Sequence, residues 1–167
     1  MATHTSPRRN RHEPFDPHLE GVSYGQLDHL IGYAVRRAQI RLYEDFAETL
    51  QPWSITPQRF SAFTLIHNNP GIKPTELARA MGIARSGVVI VLDWLEAAGY
   101  VRRIGEQSDK RTLALEVSAA GARALANITA AVTAHDSRMS TRLNASEKQQ
   151  LMMLLDRLGY GAEAGTP

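Results

Sequence analysis

The feature that most constrains the fold is the stretch TELARAMGIARSGVVIVLDWL at residues 75–95. Gly82 separates two segments whose apolar residues recur at helical spacing. Glycine accepts the left-handed backbone that a tight helix exit requires. Two helices joined by a short glycine-containing turn form a helix-turn-helix, in which the second helix enters the DNA major groove. The stretch therefore predicts a helix-turn-helix.

The apolar period changes after Gly99. Tyr100 to Ile104 and Thr112 to Val117 have the pattern of extended strands, and the polar segment GEQSDKR between them predicts a hairpin. A helix-turn-helix followed by a hairpin with a basic tip is a winged helix, whose tip reaches the DNA backbone or the adjacent minor groove. The two patterns together favour DNA binding.

Helical patterns flank this region on both sides. Apolar residues at helical spacing from Gln26 to about Leu50 predict a long first helix, and Thr56 before a proline predicts the start of a second. Ser118 is a predicted helix cap, and Asn144 with a glutamate three residues later predicts a capping box. The fold class we expect is mainly α with a small β-wing.

Composition excludes several other classes of protein. The 167 residues contain no cysteine, which removes disulfides, thiolate nucleophiles and cysteine-ligated zinc. The six histidines lack metal-site spacing, and no nucleophile or phosphate-loop motif is present, so we expect neither an enzyme nor a cofactor or metal. No apolar run is long enough for a membrane span, and the N-terminus lacks the pattern of a secretory signal. We expect no membrane partner and a cytoplasmic location.

The segment TELARAMGIARSGVVIVLDWLEAAGYVRR, followed by SDKRTLALEVSAAG, resembles the MarR family of bacterial transcriptional regulators. The resemblance covers about residues 26–158. It implies a homodimer whose first and last helices interlock, with one winged helix on each half-site of a pseudo-palindromic double-stranded DNA operator. It further implies a repressor that is released by a small aromatic effector: a phenol, a carboxylate or a thioester.

Composition and the resemblance together give the expected domain organisation. Residues 1–22 combine prolines and charge with few large apolar groups, so we expect a flexible basic, proline-rich arm there, and a flexible tail over residues 161–167. The helical dimerisation region comprises residues 23–52 and 118–160, formed by the N- and C-terminal helices. The winged helix-turn-helix domain lies between them, over residues 53–117.

The expected DNA contacts follow from the same match. Asp109 and Arg111 match the D-x-R of the wing, where the arginine contacts the minor groove or a phosphate and the aspartate orients it. Arg103 matches the basic residue that closes the first wing strand. Arg85 and Ser86 match the polar opening of the recognition helix. The full predicted set is Thr75, Arg85, Ser86, Gly87, Val89, Ile90, Arg103, Asp109, Lys110 and Arg111.

The sequence departs from the family at two kinds of position. Lys73 and Ala84 occupy helix-capping positions without the usual side-chain acceptor. Val89 and Ile90 stand where similar proteins generally carry Ser, Thr or Arg. A helical wheel places both toward the groove, where their methyl groups could pack on thymine methyls. The alternative is that the protein itself covers them, or that they are β-branched filler.

The resemblance implies an effector pocket lined from the first two helices and the fifth. Aromatic rings there would enclose an apolar ligand body, and Arg or His would bind its anionic end. Phe60 and Phe63 equally fit a simple core, and His67 equally fits a structural, hydrogen-bonded residue. The candidate residues are His29, Tyr33, Arg36, Arg37, Trp53, Phe60, Phe63 and His67.

A second function remains open at this point. A winged helix can act as a protein-interaction module without sequence-specific DNA binding, and the apolar residues Val89 and Ile90 would favour it. The basic wing segment Asp109-Lys110-Arg111 instead suits phosphate or the minor groove. Salt-dependent DNA affinity would separate the two functions.

Overall fold

The computed structural model describes residues 15–105 and 113–159. The described chain is mostly helical with one small antiparallel sheet, which confirms the predicted fold class. No helix within these ranges is long and apolar enough to cross a bilayer. The elements are α1 Ile31–Thr49, α2 Pro57–Asn68, α3 Pro74–Met81, α4 Arg85–Ala97, β1 Val101–Ile104, β2 Ala114–Val117, α5 Ala119–Met139 and α6 Ala145–Gly159.

Side-chain caps start three of the helices, as the sequence predicts. The Thr56 hydroxyl accepts the backbone N–H of Arg59 at 3.3 Å, and a proline occupies the first position of α2. The Ser118 hydroxyl accepts the N–H of Gly121 at 2.9 Å at the start of α5. Asn144 and Glu147 form the reciprocal capping box of α6, with distances of 2.8 and 3.0 Å.

The chain divides into two compact units, residues 1–45 and 46–167. In the first unit, the predicted helix from Gln26 is wrong at its start. Gly25–His29 forms a short 3-10 helix, and Leu30 is extended, with φ −98° and ψ 119°. The Leu30 carbonyl accepts the N–H groups of Tyr33 and Ala34 at 3.1 Å each, so α1 begins at Ile31. Apolar spacing did not reveal this break because the stripe continues across it.

The last residues of the arm expected over residues 1–22 belong to the first unit. Residues 1–14 lie outside the described ranges, whereas Phe15 and Pro17 contact α1. The Phe15 N–H donates to the Glu44 carboxylate at 3.2 Å, and Arg37 donates to the Pro17 carbonyl at 3.4 Å. The flexibility predicted for the arm stays a prediction.

The second unit has one hydrophobic core, built mainly from the helix-turn-helix and its supports. Phe63 and Ile66 of α2, Leu77 of α3 and Leu95 of α4 are fully buried. The Phe63 ring stacks on Tyr100, with centroids 5.3 Å apart and planes 6° apart. This core holds α4 by one face, which leaves its opposite face available to solvent.

The two strands pair antiparallel, with Val101 opposite Val117 and Ile104 opposite Ala114. Ile72 adds an antiparallel bridge to Leu115, next to α3. The strands therefore lie directly against the helix-turn-helix, as a winged helix requires. The predicted hairpin tip, including Asp109, Lys110 and Arg111, lies outside the described residues.

Candidate nucleic-acid interface

The turn between α3 and α4 is built around Gly82. Its backbone is left-handed, at φ 64° and ψ 28°, as the sequence predicts for a tight helix exit. The Ile83 N–H donates to the Ala78 carbonyl at 3.1 Å and completes the helix exit. Ala78 of α3 and Val88 of α4 are buried against the core, so the angle between the helices is set by packing.

The recognition-helix candidate α4 has two distinct faces. Val88, Val91, Leu92 and Leu95 are each at most 5% exposed, so the apolar residues at helical spacing form a buried inner face. Val89 is 49% exposed and Ile90 is 69% exposed. Arg85 and Ser86, one turn earlier on the same side, are also exposed. The other residues described in the chain do not cover Val89 and Ile90, so the interpretation of these residues as self-covered is wrong.

Gly87 of α4 lies close to Ile83 of the turn, and the space beside it would still accept a Cβ. A Cβ at this position would lie 3.6 Å from Ile83 Cδ1, which is an ordinary van der Waals distance. The structure therefore does not require glycine at position 87 for folding. Its predicted DNA contact stays a prediction.

A cleft of about 650 Å³ lies in front of the turn, between the N-terminal ends of α3 and α4. Thr75 and Arg85, both predicted DNA contacts, line it together with Lys73 and Arg79, which are not among the predicted contacts. The N-terminal ends of two helices and three cationic side chains favour an anion at this place, against the one carboxylate of the cleft, Glu76. The sequence could have indicated Arg79, because helical spacing places it on the side of α3 opposite Leu77 and Ala78.

The caps of α3 and α4 depart from the usual pattern, as predicted. Lysine and alanine have no side-chain acceptor for a helix N-terminus, and neither Lys73 nor Ala84 makes a side-chain cap. Only the reciprocal half of a capping box forms on α3, where the Lys73 N–H donates to the Glu76 carboxylate at 2.9 Å. The start of α4 therefore keeps backbone donors that a phosphate could use.

Arg103 is bound by two carboxylates of α4. Its guanidinium lies 2.8 Å from Asp93 and 3.0 Å from Glu96. Arg102 pairs across the sheet with Glu116 at 2.9 Å. Arg103 thus links the wing to the recognition-helix candidate, a role that its position in the sequence does not predict. Its predicted DNA contact stays a prediction.

The effector candidates in the second unit have different environments. Phe63 is fully buried and stacks on Tyr100, so it serves the core, whereas His67 at the end of α2 is exposed. Phe60 is half-buried with its ring centroid 6.3 Å from that of Phe46, and Trp53 is half-buried in the 3-10 helix Gln51–Trp53. Partial exposure makes Trp53 and Phe60 the better ligand candidates of this unit.

The effector candidates in the first unit also have different environments. Arg37 donates to Asp28 at 3.1 Å, contacts His18 at 2.9 Å and lies over the Tyr33 ring at 5.0 Å. Its charge is already compensated by Asp28. His29 and Arg36 are exposed and lie outside this cluster. The partners His18 and Asp28 were missed because they precede α1 and follow no helical spacing with Arg37.

Comparison with known proteins agrees with this geometry. A model of the MarR family matches residues 53–112. A protein of Thauera aromatica described as a regulator of the hcr operon is 34% identical over 161 residues, 96% of each chain. The transcriptional repressor Rv2887 of Mycobacterium tuberculosis is 30% identical over 77% of this chain and 93% of its own.

Solved structures show the same similarity in three dimensions. The repressor CouR bound to a 23-mer DNA duplex is 34% identical, with a TM-score of 0.77 over 83% of this chain and 98% of that one. CouR bound to p-coumaroyl-CoA gives 32% identity and a TM-score of 0.75 over the same shares. Rv2887 in complex with salicylic acid gives 29% identity and a TM-score of 0.60, over 77% of this chain and 96% of that one.

Proposed function

Because the chain belongs to the MarR family of transcriptional regulators, whose members bind DNA and are not enzymes, we propose that it acts as a homodimeric repressor released by an aromatic thioester. The observation that carries the DNA-binding part is the outward face of α4. Arg85 and Ser86 open this face beside a cleft that also contains Lys73 and Arg79. A DNA phosphate at this cleft and base edges along α4 fit the arrangement.

Exposed apolar side chains on α6 support the homodimer. Met152 is 67% exposed and Leu158 is 55% exposed, on a helix with no buried residue. Contiguous apolar surface of this kind is typical of a protein interface. A second copy of α6 would cover such residues, and a pseudo-palindromic operator would match the two-fold symmetry of the pair. The exposed apolar residues of α6 are Leu151, Met152, Met153, Leu154, Leu155 and Leu158.

Two relatives with bound ligands support the proposed class of effector. CouR is bound to a coenzyme A thioester, and Rv2887 to a free aromatic acid. We favour the thioester for this chain, because CouR is the more similar of the two by identity and TM-score. Trp53 and Phe60, which are half-buried, are the candidates for the contact with the aromatic group.

The protein-interaction alternative is favoured by one observation, the exposed apolar pair Val89 and Ile90. A protein partner could cover these side chains without any DNA. Such an interface would not depend on three cations beside α4, so it would show little of the steep salt dependence that phosphate contacts produce.

The test measures binding of the purified chain to the DNA flanking its own gene, over a series of salt concentrations. We expect tight, sequence-preferring binding that weakens steeply with salt. Arg85→Ala should lower the affinity about fivefold to tenfold and reduce the slope of log Kd against log salt by about one. Arg123→Ala, an exposed arginine of α5, is the matched control and should leave both unchanged.

The effector part is tested in the same assay. An aromatic acid, its coenzyme A thioester and free coenzyme A are added separately to the protein–DNA complex. Release by the thioester alone supports the proposed class. Release by the free acid would contradict it, and binding without salt dependence or sequence preference would favour the protein-interaction module instead.

A further inference from the structure

We propose that Val89 and Ile90 read thymine in the operator, by packing their methyl groups against thymine C5-methyl groups in the major groove. The proposal rests on the proposed function, since it requires that α4 enter DNA. It goes further by stating which base is read, by which side chains, and with which type of contact.

Val89 and Ile90 lie on the exposed side of α4. Ser86, Val89, Ile90 and Asp93 recur at intervals of three and four residues, so they share one side of the helix. All four are exposed, while Val88, Val91 and Leu92 on the other side are at most 5% exposed. Any base edge that contacts the middle of this outer face therefore meets Val89 and Ile90.

Charged side chains lie at both ends of this outer face. Arg85, Arg79 and Lys73 lie at the N-terminal end of the face, where they suit the phosphates that border a groove. At the other end, Arg103 lies 2.8 Å from Asp93 and 3.0 Å from Glu96, so its single charge compensates one of these two carboxylates. The apolar pair thus borders a cationic end, which favours an anionic occupant such as DNA over a basic or purely apolar protein surface.

The side chains of Val89 and Ile90 can recognise only apolar features of the DNA. Valine and isoleucine side chains have no hydrogen-bond donor or acceptor, so they cannot read the polar pattern of a base edge. The thymine methyl is the apolar feature of the major groove that such side chains can contact. β-branched side chains on a helix have few rotamers, which gives these methyl groups defined positions.

The experiment removes single methyl groups from the DNA. Deoxyuridine replaces thymidine at one position at a time in the operator half-sites, which deletes the C5-methyl and keeps every hydrogen-bonding group. The affinity of each DNA is measured for the unaltered protein and for Val89→Ala/Ile90→Ala. Far-UV circular dichroism and thermal melting establish that the variant is folded, as expected for substitutions at exposed positions.

We expect one or two positions in each half-site at which uracil weakens binding by the unaltered protein about threefold to fourfold, the effect of losing one buried methyl group. The same replacements should have no effect on the double variant. This comparison separates contact from DNA shape, because a shape effect would persist in the variant. Uracil at thymines that flank the operator half-sites is the matched control.

Other outcomes overturn the proposal in distinguishable ways. Sequence-preferring binding that no uracil replacement weakens would refute thymine reading and leave the proposed function intact. Equal effects of uracil on both proteins would assign the thymine preference to DNA shape rather than to Val89 and Ile90. Absence of any sequence-preferring binding would refute the proposed function, and thymine reading with it.

Discussion

Gly121 shows how one residue sets the distance between α5 and the wing. A Cβ at this position would lie 2.1 Å from the Tyr100 carbonyl oxygen, far inside van der Waals contact. The obstacle is backbone, and that carbonyl also accepts the Ser118 N–H at 2.9 Å, so it cannot move away freely. Glycine at position 121 is therefore required by packing rather than by a positive φ.

Gly121→Ala should destabilise the protein by about 2–3 kcal/mol, because the added methyl forces α5 away from the strand. Urea unfolding followed by circular dichroism measures the change. Gly87→Ala is the matched control, since its Cβ meets only Ile83 at 3.6 Å, and it should be neutral or stabilising by up to about 1 kcal/mol. Equal effects of the two substitutions would contradict the packing argument.

At the scale of the element, α4 is a helix with a weak start and a strongly buried side. Ala84 has φ −64° and ψ 151°, the backbone of a helix cap, without a side-chain acceptor. Four buried apolar residues stabilise α4 in place of a cap. Tertiary packing therefore decides that this helix forms, as is usual for short helices.

Ala84→Ser should stabilise the protein by about 1 kcal/mol, because serine supplies the missing acceptor to a backbone that already has the required conformation. Chemical unfolding at equilibrium provides the measurement. Ala126→Ser, at an exposed interior position of α5, is the control and should cost about 0.5 kcal/mol. A destabilising Ala84→Ser would show that the start of α4 cannot accept a cap.

The link between α4 and β1 is also a property of elements. Arg103 lies between Asp93 and Glu96, and its side chain is 34% exposed. We expect a double-mutant cycle of Arg103→Ala with Asp93→Ala to give a coupling free energy of about 0.5–1 kcal/mol that decreases with salt, since exposed ion pairs are screened. The pair Arg123→Ala and Asp93→Ala should be additive. If the effects of Arg103→Ala and Asp93→Ala are additive at low salt, this ion pair does not link the wing to α4.

For the whole molecule, the proposed homodimer accounts for the exposed apolar residues of α6. The helix has apolar residues on several sides and none of them is buried within the described chain. Leu154 and Leu158 are spaced four residues apart, so they lie on one face of the helix. In the proposed homodimer, this face lies against the second copy.

Leu154→Lys/Leu158→Lys should convert the dimer to monomer in analytical ultracentrifugation, because two charges cannot be buried at an apolar interface. Operator affinity should fall at the same time, as one protomer then engages one half-site. Gln149→Lys, which adds charge at an exposed polar position on the other side of the same helix, is the control and should remain dimeric. A dimeric double variant that melts like the unaltered protein would place the interface elsewhere.

Local signals in the sequence determined most of the elements of this protein. Gly82 marked the turn, Thr56, Ser118 and Asn144 marked helix starts, and apolar spacing assigned the two faces of α4. These features depend on a few neighbouring residues, so their chemistry can be read along the chain.

Only the tertiary structure decided which residues meet across long separations. The ion pair of Arg103 with Asp93, the packing of Gly121 on Tyr100 and the engagement of Arg37 by Asp28 follow no helical or strand period. The break at Leu30 was also hidden, because apolar periodicity continues through it. Side-chain spacing describes one element at a time, whereas these contacts depend on where separate elements are placed by packing.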